Sequence, residues 1–125
     1  MKILVVDDSA LDRKLLIRTF MKAEISHEIL QAEDGEQALE ILANNYKDIG
    51  LILLDWQMPK MSGIELMTGI VHVPILAEIP IIMVTASGSE ENRKLAREVN
   101  PKLADYIIKP YKTEALLAAV HPYVQ

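Results

Sequence analysis

Four short runs of Val, Ile, Leu and Met each stop at a polar residue. They are Ile3-Leu4-Val5-Val6 before Asp7-Asp8, Leu51-Ile52-Leu53-Leu54 before Asp55, Ile81-Ile82-Met83-Val84 before Thr85, and Tyr106-Ile107-Ile108 before Lys109-Pro110. Runs this short and this free of polar alternation read as parallel strands buried on both faces. In an open α/β sheet the carboxyl ends of neighbouring strands share one crevice, and ligands bind there. The carboxylates of Asp7, Asp8 and Asp55, the Thr85 hydroxyl and the Lys109 ammonium would then meet around one point. Such a constellation suits a divalent metal and a phosphoryl group.

Between the strands the spacing becomes helical, and the two kinds of element alternate. The pattern predicts strands over Lys2–Val6, Glu28–Ala32, Gly50–Leu54, Pro80–Thr85 and Asp105–Ile108. It predicts helices from Ser9 to about Ala23, with Leu11, Leu15, Leu16 and Phe20 on one face, and over Gly35–Asn45, with Ala38, Leu39, Ile41 and Leu42 inward. Further helices are expected from about Gly63 to His72, over Ser89–Val99 and over Lys112–Val120, with Pro74 ending the first of these. Ser62 with Glu65, Ser87 with Glu90, and Asp34 with Gln37 have capping-box spacing. Five βα units imply an α/β, three-layer, doubly wound parallel sheet. No internal repeat or linker interrupts it, so residues 1–125 read as one domain.

Composition narrows the function classes. With no cysteine, disulfides, thiolate metal sites and thiol nucleophiles are excluded, which fits a reducing, cytoplasmic setting. The first apolar run ends at Asp7-Asp8, too soon for a signal peptide, and no apolar stretch is long enough to span a membrane. A net charge of −5 argues against direct binding to nucleic acid.

The ordered set Asp7-Asp8, Asp55-Trp56-Gln57-Met58-Pro59, Ser62-Gly63, Thr85-Ala86, Tyr106 and Lys109-Pro110 resembles the receiver domain of two-component response regulators, chemotaxis-regulator-like, over Lys2 to about Val124. The resemblance implies the flavodoxin-like strand order 2-1-3-4-5, which makes Asp7, Asp8 and Asp55 neighbours. It implies Mg2+ held by Asp8, Asp55 and the backbone carbonyl of Gln57, with Asp7 acting mainly through a metal-bound water. Asp55 would be the phosphoacceptor, forming an aspartyl phosphate. Lys109, presented by a cis Lys-Pro bond, would pair with Asp55 in the free state and contact the phosphoryl group afterwards. The Thr85 hydroxyl and the Ala86 amide would bind phosphoryl oxygens. Tyr106 would be a switch aromatic, moving from an outward to a buried rotamer as Thr85 is drawn in. The surface of the last two helices and the fifth strand would then change for a partner. A histidine kinase or histidine phosphotransfer protein would supply the phosphoryl group, and a target protein or an output domain would read it. Chemistry of this kind is self-directed phosphotransfer with slow autodephosphorylation, not turnover of a substrate. Because the chain ends soon after its last helix, stand-alone action on a separate target is the simpler expectation.

Plainer roles exist for the same residues. Asp8 or Ser9 could cap the first helix, Lys109 could be an exposed loop lysine, Thr85 a β-branched strand residue and Tyr106 ordinary packing. Trp56 reads equally as a flank of the acidic pocket or as partly exposed packing, and His27, His72 and His121 lack metal-ligand spacing. Arg93, Lys94 and Arg97 with Glu90, Glu91 and Glu98 read as a solvated helix face. Gln57 and Ser87 stand where the family tunes phosphate lifetime. Lys102-Leu103, after Asn100-Pro101, replaces the Gly-Ala usual before Tyr106, and Val71–Glu78 departs from a simple long helix. A flavodoxin-like flavin binder would need a Ser/Thr/Gly-rich loop where Asp7-Asp8 stands. A haloacid-dehalogenase-class phosphatase would need Asp-x-Asp. The remaining rival is a pseudo-receiver, a phosphorylation-independent protein-interaction module on the same fold.

Overall fold

The computed structural model describes residues 1–124, and in it the apolar runs become neighbouring strands of a single sheet. The strands are β1 (Lys2–Val6), β2 (Glu28–Ala32), β3 (Ile49–Leu54), β4 (Ile81–Thr85) and β5 (Asp105–Ile108). All pair in parallel, in the order β2-β1-β3-β4-β5. The helices are α1 (Ala10–Lys22), α2 (Gly35–Asn45), α3 (Gly63–Val71), α4 (Pro74–Ala77), α5 (Glu90–Val99) and α6 (Thr113–Val120), and a 3-10 turn follows over His121–Tyr123.

The absence of polar alternation in the central strands has a direct cause. Successive side chains point to opposite faces, and both faces are covered. Leu4, Val6, Ile52, Leu54, Ile81 and Met83 meet Ala38 and Leu42 of α2, Leu66, Met67 and Ile70 of α3, and Ala96 of α5. Ile3, Val5, Leu51, Leu53, Ile82 and Val84 meet Leu16 and Phe20 of α1 and Leu116, Ala119 and Val120 of α6. The edge strands β2 and β5 carry the polar residues Glu28, Gln31 and Asp105.

Several local expectations need correction. Leu11 and Leu15 do not face the sheet; they are 64% and 48% exposed. The inward stripe of α1 is Asp12, Leu16 and Phe20, spaced i, i+4, i+8, and its first member is polar because Lys109 lies beneath it. Leu39 also turns outward. Ser62 and Glu65 form the expected capping box, but Ser89 rather than Ser87 caps α5, its Oγ accepting from the Asn92 amide at 3.1 Å. Ser87 instead accepts from the Asn92 side-chain amide at 2.9 Å. Asp34 caps α2 through the Gln37 amide, yet the Gln37 side chain returns to the Glu33 amide, one residue short of a box. Pro74 does follow the end of α3, and it also opens α4 at a position where its missing N–H is harmless. The segment before β5 is anchored by buried Asn100, whose side chain accepts from the Lys102 amide at 3.1 Å, and by Leu103 in the core.

Gly63 starts α3 almost against the end of β3. Its amide donates to the Trp56 carbonyl at 2.7 Å, and an added Cβ would stand 2.0 Å from the Asp55 carbonyl oxygen. Gly69, in the same helix, has no atom within 4 Å of an added Cβ. Gly63→Ala is therefore expected to destabilise the chain by about 1–3 kcal/mol. Gly69→Ala should stabilise it by about 0.5–1 kcal/mol. Urea unfolding of the two variants separates the cases, and equal effects would contradict the proposed approach.

Candidate functional site

The register of the sheet decides which side chains meet. Val6 pairs with both Ala32 and Leu54, so Asp7 and Asp55 each leave the sheet one residue later, beside each other. The ladder continues into them: the Asp7 amide donates to the Ala32 carbonyl at 3.1 Å and the Asp55 amide to the Val6 carbonyl at 2.9 Å. Thr85 pairs with Ile108, and the Lys109 amide donates to the Thr85 carbonyl at 2.9 Å. The Lys109–Pro110 peptide bond is cis, as the resemblance implied.

Asp7 and Asp55 are buried, at 6% and 8% exposure, and Asp8 is exposed. Each of the three offers a carboxylate oxygen within 4.8 Å of the others. Asp7 Oδ1 accepts from the Ser9 amide at 2.9 Å, and Asp55 Oδ1 from the Trp56 amide at 2.7 Å. Ser9 also caps α1, so the capping role falls to Ser9 and leaves Asp8 at the pocket.

Lys109 reaches Asp7 Oδ2 at 2.7 Å, Asp12 Oδ2 at 2.8 Å and Asp55 Oδ2 at 3.4 Å. The expected pairing with Asp55 is present, and the two shorter bonds go to Asp7 and Asp12. Burial alone would lower the Lys109 pKa, but the bonds to Asp12 and Asp7 and the charge of Asp55 outweigh it and raise it above the ordinary lysine value. Burial raises the Asp7 pKa, and the charge of Asp55 adds to that rise. Lys109 and the Ser9 amide pull it the other way without cancelling it.

Three buried or half-buried carboxylates thus share one ammonium while Asp8 stands beside them. Hard oxygen donors in a locally over-negative cluster fit a cation such as Mg2+.

Thr85 is buried, and its Oγ1 accepts from the Ser87 amide at 3.2 Å, while Ala86 is exposed at the pocket rim. Tyr106 occupies the inward of its two expected positions, its hydroxyl donating to the Ser87 carbonyl. Trp56 is half-buried and packs against the core under α2 and α3, and the Gln57 side chain is exposed. His27 and His72 bond the carbonyls of Val124 and Thr68, away from the carboxylates.

Two residues were missed. Asp12 could have been found from its i, i+4, i+8 spacing with Leu16 and Phe20, which puts a carboxylate on a core-facing stripe. Arg13 donates to the Asp7 carbonyl at 2.7 Å and to Gln31 Oε1 at 3.0 Å, tying α1 to β2. No sequence pattern singled it out.

The Asp7 shift fixes the sign of a pH effect. The folded chain binds this proton more tightly than the unfolded chain, where the value is 3.8. Its stabilising contribution is therefore complete below 3.8 and is lost as pH rises through the raised folded value. In chelator, the stability of the native sequence relative to Asp7→Asn should fall as pH rises above 3.8 and through the raised folded value. Chemical unfolding across that range checks it, and a pH-independent difference would refute it.

A family model described as "Response regulator receiver domain" matches residues 3–121. The phosphate regulon transcriptional regulatory protein PhoB of Pseudomonas aeruginosa is 40% identical over 116 residues, covering 93% of this chain. The chain spans 48%, about half, of that relative's length. A chemotaxis protein CheY homolog of Campylobacter jejuni is 33% identical over 117 residues, covering 93% of this chain and 86% of the relative. Among solved structures, a CheX-CheY-BeF3-Mg complex from Borrelia burgdorferi matches with a TM-score of 0.87 and 29% identity, covering 100% of this chain and 90% of that one. Sequence, sheet order and the acidic strand ends agree: the chain belongs to the response regulator receiver domain family.

Proposed function

We propose that this chain is a phosphorylation-activated signalling switch whose phosphoacceptor is Asp55. The observation that carries the proposal is the convergence of Asp7, Asp8 and Asp55 with the Lys109 ammonium, at strand ends that also present the Thr85 hydroxyl. An Asp55 carboxylate oxygen would attack phosphorus, forming the acyl phosphate bond. The bond from phosphorus to the donor's imidazole nitrogen breaks, and its electron pair leaves with the imidazole. Asp8, Asp55 and the Gln57 carbonyl, with Asp7, would hold Mg2+, which when bound neutralises charge on the transferring oxygens. Lys109 would balance charge on the product. Thr85 Oγ1, already accepting from the Ser87 amide, keeps its own proton to donate to a phosphoryl oxygen, and the exposed Ala86 leaves the approach open.

The loop between β4 and α5 is the natural readout. Thr85 Oγ1, the Tyr106 hydroxyl and the Asn92 side chain all bond Ser87, so a pull on Thr85 acts on the segment that the inward Tyr106 ring grips, and phosphorylation would favour that inward ring over the outward one. A partner reading α5, β5 and α6 would sense that change. A histidine kinase or histidine phosphotransfer protein would be the donor, and a target protein or output domain the receiver of the signal. The chemistry is self-directed, with slow autodephosphorylation, in a cytoplasmic setting. Among the described residues no helix is long and apolar enough to cross a membrane.

Intact mass after incubation with Mg2+ and phosphoramidate or acetyl phosphate tests the reading. A gain of one phosphoryl group is expected, abolished by chelator and by Asp55→Asn. Mg2+ binding followed by Trp56 fluorescence should accompany it. Failure of both would favour the phosphorylation-independent interaction module.

A further inference from the structure

We infer that Asp12 is a positioning residue that anchors Lys109 away from the phosphoacceptor in the resting state and thereby opposes phosphorylation. The inference rests on the reading of Asp55 given above and adds a regulator to that site.

Of the three carboxylates that Lys109 touches, Asp7 and Asp55 belong to the acidic cluster and Asp12 does not. Asp12 projects from the first turn of α1, and its side chain is 38% exposed against 9% for Asp7 and 10% for Asp55. It lines the wall of a groove of about 900 Å3 between α1 and α6 that Asp7, Ala86 and Lys109 also line. A cation bound by the cluster, or a phosphoryl group on Asp55, would draw on Asp7 and Asp55 and leave Asp12 unchanged. Asp12 therefore holds Lys109 through an interaction that the resting state keeps and the phosphorylated state must weaken.

The geometry sets the direction. Lys109 stands 2.8 Å from Asp12 and 3.4 Å from Asp55. A phosphoryl group on Asp55 adds negative charge where the ammonium makes its longest contact, so Lys109 must shift toward it and away from Asp12. Removing Asp12 removes the competitor from the resting state without removing a phosphoryl ligand. The phosphorylated state gains by that difference.

A first-turn carboxylate can also serve only to stabilise the helix start through its dipole. That role would lower the melting temperature of Asp12→Asn and leave phosphoryl binding alone.

The test compares beryllofluoride affinity, in saturating Mg2+, for the native sequence, Asp12→Asn, Asp12→Glu, Lys109→Met and the Asp12→Asn/Lys109→Met pair. Asp12→Asn should bind about two- to five-fold more tightly, the range expected for a partly exposed ion pair. Asp12→Glu should return toward the native value. The gain should vanish in the Lys109→Met background, because the effect runs through Lys109. In the phosphoryl-free protein the Lys109 ammonium proton resonance should move in Asp12→Asn and be restored in Asp12→Glu.

Unchanged or weaker affinity in Asp12→Asn, an equal gain in both backgrounds, or an unmoved Lys109 resonance would each overturn the inference. So would a lowered melting temperature as the only effect. Native protein that takes up no beryllofluoride, like the Asp55→Asn control, would overturn the reading of the site and this inference with it. Uptake by the native protein with no difference in Asp12→Asn overturns the inference alone.

Discussion

Lys109 holds one positive charge against carboxylates that arrive from three separate places: the end of β1, the first turn of α1 and the end of β3. Two of those carboxylates are buried, and a buried carboxylate without a partner costs several kcal/mol. The ammonium comes from β5, two places along the sheet from β3. It can cross that distance because the long lysine stem lies across the mouth of the sheet, reaching back from a position that the register sets two residues beyond the level of Asp55. Strand order, register and charge balance are therefore one constraint. A one-residue slip of β5 against β4 would turn Lys109 to the other face and leave Asp7 and Asp55 facing each other unpaired.

The two-sided core explains why so much of this was readable in advance. Wholly apolar four-residue strands are possible only where helices cover both faces, and their polar terminators had to share an edge. Asp7, Asp8, Asp55, Thr85 and Lys109 were legible for that reason. The helices were less so, because one sequence can offer two overlapping apolar stripes. Leu11 and Leu15 looked inward alongside Leu16 and Phe20, but only one stripe can face the sheet. The one that does begins with Asp12, since an ion pair with Lys109 compensates for placing a carboxylate there. A rule that seeks only apolar periodicity cannot see such a residue.

Cap residues failed for a similar reason. Ser87 and Ser89 both stand near the start of α5, and spacing to Glu90 favoured the first. Ser89 is the cap because it stands directly before Glu90, the first helical residue, while the Ser87 hydroxyl accepts from the Asn92 side chain. Ahead of β5, the buried Asn100 side chain likewise takes a local partner, accepting from the Lys102 amide of its own loop.

The close approach of Gly63 to the Asp55 carbonyl gives the pocket two mechanically different sides. On the α3 side, backbone meets backbone with no side chain between them, so a movement of Asp55 must carry the start of a helix whose Leu66, Met67 and Ile70 are locked in the core. On the side of β4 and α5, the segment from Ala86 to Ser89 is held mainly by a few hydroxyl and amide contacts. Strain entering at Asp55 meets a stiff support on one side and a compliant one on the other. Displacement will therefore travel in one direction through the molecule, as it does from a lever pushed against a wall.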